Sequence, residues 1–331
     1  MKKIKSIFWG TVMVLGLLAC DSINEFPGDH PIDPTIVDVN LAFTFNMEML
    51  PFAGAEGLNR SEGATHDARY IVDIYQEGID TVIARQVQTL TGLVRETTSV
   101  NMHFSLHAFK YKAVAWVDYV EPGREVDKFY STTDLSLVKI VEPYVGDNDY
   151  KDAFSGTADI DLTGYRDDWN VSVDVPLMLG RPFARIEVIS TDLDKYLDKI
   201  EEENARSTSR QFLVDFCYAC YFPCGYNVLT GKPNDSRTDL SFRCVGRAVS
   251  DSEICLGCDY VFVNGTESGV TVDMIIYNEE GTLVNEVRGV SIPVKRGKLT
   301  TIKGEFLTRG YHSGVGIDPD YEGEITVEIP D

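Results

Sequence analysis

The sequence predicts a mainly β protein, built as two β-sandwich domains in tandem. Three observations predict it. Val37, Val39, Leu41, Phe43, Phe45, Met47 and Met49 alternate with mostly polar neighbours, the period-two signature of a half-buried strand. Further along, short β-branched and aromatic runs recur between Gly- and Asn-bearing turns, the spacing expected of a sandwich. No segment before residue 190 has a convincing helical period.

The elements follow in order. Tyr70, Val72 and Ile74 alternate up to a Gln76-Glu77-Gly78 turn, and residues 81–90 are predicted to return as the partner strand. Residues 101–120 are rich in aromatic and β-branched side chains and stop at Glu121-Pro122-Gly123. Within them Tyr111, Ala113, Ala115, Val117 and Tyr119 face one way and Trp116 the other. Residues 171–179 and 183–189 supply two more strands. Residues 191–206 change period: Thr191 or Asp192 can cap, and Leu193, Tyr196, Leu197 and Ile200 share one helical face. The charged stretch that follows reads as a junction, so the first domain is assigned to 37–206 and the second to 207–331. The second resumes strand character at Gln211. Its further strands are 260–263, 270–277, 282–294, 299–306 and 324–329, with turns at Asn264-Gly265 and 278–281. No repeat of solenoid period is visible.

The N-terminus sets the compartment. Lys2, Lys3 and Lys5 precede an apolar run from Ile7 to Leu18, and Leu17-Leu18-Ala19-Cys20 closes it. This is the layout of a secretory signal, and the final four residues resemble the bacterial lipobox. The resemblance implies cleavage before Cys20, with lipid on its sulfur and on its new amino group. The run is short for a transmembrane helix, which needs about 20 residues. Residues 1–19 are therefore expected to be a leader, and residues 20–36, with Pro27, Pro31 and Pro34, an extended tether. Removal of the leader leaves 27 basic against 52 acidic residues, a net charge of −25. Such a surface excludes nucleic acid as a partner, because binding it needs a basic footprint.

Six further cysteines crowd into one stretch: Cys217, Cys220, Cys224, Cys244, Cys255 and Cys258. An even number in an exported chain points to disulfides, though the two Cys-x-x-Cys pairs also match zinc spacing. The oxidising compartment favours disulfides, with fifteen full pairings open.

Other constellations are weaker. His103 and His107 have the outer spacing of a zincin helix, without its glutamate and on a predicted strand. Asp318-Pro-Asp320-Tyr-Glu322-Gly323 begins like a calcium loop, but Ile329 stands where the bidentate glutamate belongs. Asp147-Asn148-Asp149 reads as a solvated acidic turn. Trp116, Trp169, Tyr218, Tyr221, Phe222 and Tyr226 are candidates for a carbohydrate platform or for ordinary core. No nucleophile elbow and no phosphate-cradling loop occurs. No enzyme activity, no metal and no cofactor is expected.

Together these features resemble the anchor and fimbrillin-like lipoproteins of type V pili, the fimbriae of Gram-negative gut and oral anaerobes. Tyr111-Lys-Ala-Val-Ala-Trp116-Val-Asp118 is similar to the family's Trp-x-Asp strand. Arg181-Pro-Phe-Ala-Arg185-Ile-Glu-Val-Ile-Ser-Thr-Asp192-Leu is similar to the strand and helix start that end its first domain. Tyr226-Asn-Val, Val261-Phe-Val-Asn-Gly265, Val294-Lys-Arg-Gly-Lys-Leu-Thr300 and Gly304-Glu-Phe-Leu-Thr308 resemble its second domain. The resemblance implies two transthyretin-like sandwiches, attachment to the outer membrane through Cys20, and assembly with other fimbrial subunits by strand exchange. The expected exchange strands are 37–49 and 324–329. The cysteine cluster departs from the family's pattern. The absence of a basic cleavage site between Cys20 and Val37 fits a retained anchor better than a processed shaft subunit. The alternative reading is a surface glycan-binding lipoprotein of a nutrient-uptake system.

Overall fold

The computed structural model describes residues 35–46, 66–92, 94, 99–202, 210–309 and 324–326. The leader, Cys20, most of the tether, Met47, Met49, residues 203–209 of the junction and the 318–323 loop lie outside the described residues. In chain order the first strands are β1 (Ile36–Phe45), β2 (Asp67–Gln76), β3 (Val82–Thr91), β4 (Asn101–His107) and β5 (Lys110–Val120). Next come β6 (Tyr130–Ser131), β7 (Val138–Ile140), β8 (Phe154–Asp161), β9 (Ser172–Leu179), β10 (Phe183–Ser190) and helix α1 (Leu193–Glu202). The remainder holds β11 (Phe212–Tyr218), β12 (Phe222–Asn227), β13 (Lys232–Arg237), β14 (Ser241–Val245) and β15 (Arg247–Ala248). It ends with β16 (Ile254–Phe262), β17 (Glu267–Asn278), β18 (Leu283–Lys295), β19 (Leu299–Gly304) and β20 (Glu324–Thr326). The protein is mainly β, in several packed sheets.

The first sandwich stacks the sheet β4-β1-β9 on the sheet β3-β2-β5-β8. Its core takes alternate residues from both sheets: Val37, Val39, Leu41, Phe43 and Phe45 from β1, and Tyr70, Val72 and Ile74 from β2. The odd-numbered side chains of β1 point inward, as its period requires. Phe43 meets Tyr70 edge to face, with ring centroids 5.8 Å apart. β1 is the central strand, antiparallel to β4 and parallel to β9. It is therefore an ordinary strand of its own sandwich rather than a free exchange strand.

The second sandwich stacks β15-β16-β10-β19-β20 on β14-β11-β17-β18. Ala184, Ile186 and Val188 of β10 join the second core, beside Phe212, Val214, Phe216, Val272, Met274 and Ile292. β10 thus precedes residue 206 in sequence and pairs with strands that follow it. α1 closes the end of this core with Leu193 buried. Asp192, just before the helix, accepts bonds from the backbone N–H groups of Leu307 and Thr308 and so ties the helix start to the chain beyond β19.

A third sheet, β13-β12-β7-β6, lies where the sandwiches meet. Here Trp116, on the far face of β5, packs against Tyr130 and Phe183, with Tyr226 and Phe262 completing a third core. The parity expected for Trp116 is what the structure contains.

The burial of β1 sets a mutational expectation. Phe43→Asp places a charge in the first core and should cost more than about 4 kcal/mol, whereas exposed Thr44→Asp should cost about 1 kcal/mol or less. Urea unfolding of the two variants reads the difference, and equal losses would contradict the register.

Candidate functional site

The two seams of the first sandwich differ. At one, β8 and β9 are bridged by Ser155 and Gly180, which exchange backbone bonds of 2.8 and 3.0 Å. Gly156 makes this approach possible: a Cβ there would sit 2.2 Å from the Met178 carbonyl oxygen. At the other seam, β3 and β4 are both edge strands. Among the described residues no strand pairs with either outer edge. Across this seam, Gln86 Nε2 donates to the His103 carbonyl at 2.6 Å.

The composition of these edges differs from that of most others in this chain, though the five-residue edge strand β14 also lacks acid, proline and glycine. Solvent-facing edges are normally blunted by charge, proline, bulges or short length. β8 carries Asp159 and Asp161, β9 Asp174 and Pro176, β13 Lys232, Pro233 and Asp235, and β18 Glu286, Arg288 and Pro293. β6, β15 and β20 have three residues or fewer. β3 reads Val-Ile-Ala-Arg-Gln-Val-Gln-Thr-Leu-Thr and β4 Asn-Met-His-Phe-Ser-Leu-His. Neither has an acid, a proline or a glycine, in a chain with 52 acidic residues. Val82, Ile83 and Val87 of β3 are all exposed.

Behind β3 lies a strained polar arrangement. The Asp73 side chain is fully buried, and neither carboxylate oxygen has a hydrogen-bond partner. Its counter-charge is Arg85 of β3, whose Nε is 3.5 Å from Oδ1. The Arg85 guanidinium also donates to the carbonyls of Thr132 and Thr133, which ties β3 to that loop. Burial pushes the Asp73 carboxyl up to about 6, Asp134 adds to the rise and Arg85 opposes it. A cavity of about 920 Å³ opens beyond the β2–β3 turn, lined by Tyr75, Ile79, Asp134, Lys112, Asp159 and Leu229 among others. Carboxylates outnumber amines around it, so its field repels anions.

The residues singled out in the sequence are dispersed. All six cysteines are thiols, and the expected disulfides are not formed in this structure. Their placement explains it. Cys217 is half-exposed on the outer face of β11, Cys220 is exposed in the turn after it, and Cys224 is buried on β12. Cys244 lies in the second core, and only Cys255 and Cys258, on β16, share a neighbourhood. Among the described residues no group of three or more His, Cys, Asp or Glu side chains is placed to hold a metal ion. His103 and His107 share the exposed face of β4. The carbohydrate platform does not assemble: Trp116, Tyr218, Phe222 and Tyr226 are core, while Trp169 and Tyr221 are exposed. Among the described residues no helix is long and apolar enough to cross a membrane.

The Asp147-Asn148-Asp149 turn is not a solvated one. Asp147 pairs with Arg247, and Asp149 lies 3.2 Å from Arg185. Asp152 binds Arg181 through two bonds of 2.7 Å. Lys151 pairs with buried Asp259, whose other oxygen accepts from the hydroxyls of Tyr144 and Tyr218. Desolvation lowers the Lys151 pKa, and Asp259 opposes the fall. This strip was not legible in the sequence. Its one signal was the Arg181 to Asp192 segment, which carries two of the arginines.

The chain belongs to DUF6562, a family of unknown function, whose model matches residues 34–330. No curated protein matches it. Solved structures similar to it include the fimbrial anchor protein Mfa2 from Porphyromonas gingivalis, 12% identical, covering 77% of this chain and 82% of that one, with a TM-score of 0.38. A candidate adhesin from Bacteroides ovatus is 12% identical over 76% of each chain, with a TM-score of 0.42. A candidate polysaccharide-binding protein from Bacteroides thetaiotaomicron is 9% identical over 76% of this chain and 80% of that one, also at 0.42. The functional reading rests on this chain's own residues.

The buried Asp73 carboxyl gives a pH expectation. Its pKa is higher folded, about 6, than unfolded, about 3.9. The folded state therefore holds the proton more tightly. The favourable contribution is complete below about pH 4 and is lost as pH rises through 6. Asp73→Asn should gain stability relative to wild type between pH 4 and 7.5, by at most about 3 kcal/mol. Denaturant melts of both proteins at the two pH values check this, and an unchanged difference between them would contradict it.

Proposed function

We propose that this protein is a lipid-anchored structural subunit of a surface filament, an anchor or accessory fimbrillin. It is held on the outer membrane through Cys20 and joined to a neighbouring subunit by strand addition. The observation that carries this reading is the edge strand β3, ten residues long and free of acid, proline and glycine. A ten-residue edge strand offers a row of backbone donors and acceptors, and an added strand would take affinity from that row. Its apolar side chains would supply specificity. The leader and Cys20 add the anchor: one acyl chain holds a membrane only marginally, so two or more chains are required for stable attachment. The division into two domains belongs to the same reading, with β10 and α1, although they precede residue 206, counted in the second sandwich. A glycan-binding surface protein is the second reading. It now rests on Trp169, which is 80% exposed, because Trp116 is buried.

Clean deletion of the gene tests the first reading. Filaments should be shed into the medium or change in length, and Cys20→Ala should reproduce part of that effect while failing to incorporate labelled fatty acid. Unchanged filament number, length and attachment would sink the anchor reading and leave the glycan reading, with Trp169→Ala the first variant to assay.

A further inference from the structure

The cavity beyond the β2–β3 turn is a two-sided groove. It is built by that turn, the starts of β3 and β5, the end of β8, the 133–136 segment and Leu229. One side is apolar, with Tyr75, Ile79, Val82 and Leu229. Tyr75 and Leu229 also pack against the third core, which fixes this side in place. Ile79 and Val82 are exposed.

The other side is charged, and its charges do not cancel. Lys110 and Lys112 of β5 stand opposite Asp161 and Asp159 of β8 in the antiparallel register. Each lysine pairs with the aspartate opposite, Lys110 Nζ lying 3.8 Å from Asp161 Oδ2. Both amines are therefore already matched. Glu77, Asp80 and Asp134 line the same groove and form no ion pair among the described residues. Asp134 accepts only a backbone bond, from Ser136 N–H at 2.8 Å. These three carboxylates leave the groove negative. Their field reaches inward: burial pushes the Asp73 carboxyl up, and Asp134 adds to the rise.

The groove also continues the edge of β3. Val82 is the first residue of β3 and a wall of the groove at once. A strand that pairs along β3 and runs on past Val82 enters the groove. Along β3 it meets no acid, and Arg85 is already balanced by Asp73. Beyond Val82 it meets Asp80, Glu77 and Asp134.

We propose that the groove receives a lysine or arginine side chain from the subunit that adds to β3. Resting on strand addition at β3, this gives the partner its chemistry: an extended segment, uncharged where it follows β3 and basic where it passes Val82. The apolar side takes the aliphatic stem of the side chain, and the carboxylates take its cationic head. A neutral ligand would leave the carboxylates unanswered. A second copy of this chain, with its net charge of −22, is repelled from the same place. The groove thus discriminates among strands that the β3 backbone alone would accept equally.

The test places a photoreactive amino acid at Ile79, and separately at Val87, in the intact chain in living cells, and reads the attached peptides by mass spectrometry. Position 79 should capture the same protein as position 87, at a site next to a lysine or arginine. Glu77 and Asp80 are both exposed, so their substitution leaves the fold intact. Glu77→Gln with Asp80→Asn should cut the adduct at 87 about fivefold, at about two- to fivefold per exposed pair. Glu77→Lys with Asp80→Lys should cut it about tenfold or more, and replacing the captured basic residue of the partner by glutamate should restore it. An adduct at 87 with none at 79 would overturn the proposal and leave strand addition standing. So would a segment at 79 without a basic residue, a glycan attached there instead of a peptide, or full capture by the double lysine variant. No adduct at either position would overturn both.

Discussion

Four charged side chains, Asp147, Asp149, Lys151 and Asp152, hold the two sandwiches as one molecule. Each finds its counter-charge on a different element: Arg247 on β15, Arg185 on β10, Asp259 on β16 and Arg181 just before β10. Backbone bonds reinforce the contact, since Asp147 N–H donates to the Cys258 carbonyl at 2.8 Å. The two fully buried pairs, Lys151–Asp259 and Arg181–Asp152, contribute little net stability compared with apolar packing of the same shape. Their value is in register. Removing one partner strands a charge in the interior, at a cost of about 3–5 kcal/mol. The strip therefore admits one arrangement of the surfaces around Trp116 and disfavours its neighbours.

That fixed arrangement gives the first sandwich its asymmetry. The outer face of β2 and β5 is covered by the third core, and the β8–β9 seam is closed by Ser155, Gly156 and Gly180. Among the described residues, the β3–β4 seam has no strand pairing across it. The acidic surface bears on the same point. A net charge of −22 keeps copies of the chain apart, yet the two strands at this seam carry no acid at all. A partner can approach it without meeting like charge, while association elsewhere is discouraged. Asp73 and Arg85 sit immediately behind, so the cost of a buried carboxylate is borne where β3 is held to the 132–134 loop.

The sequence made some of this legible and concealed the rest, for physical reasons. β1 was readable to the residue because one face is buried and the other wet, which is the condition that writes a period of two. The opposite orientation of Trp116 followed from the same rule. β10 and β16 are buried on both faces, and their polar residues are paired inside, so parity cannot say which residue meets which. Lys151 and Asp259 lie 108 positions apart. The third sheet is built of short strands from both halves of the chain and has no periodic signal. The bulge at Leu256 inverts the parity of Cys255 and Cys258, so their spacing alone does not reveal the face they share. The open seam was hidden because β1, one of the two strands expected to exchange, is flanked on both sides, while β3 looks ordinary in sequence.

The central claim is that β3 is the surface at which another subunit adds. A photoreactive amino acid placed at Val87 of β3, and separately at exposed Met178 of the closed β8–β9 seam, measures this in living cells. The account predicts one discrete covalent adduct from position 87, with a filament subunit identified in it by mass spectrometry, and none from position 178. No adduct at 87, or the same adduct from both positions, would contradict it.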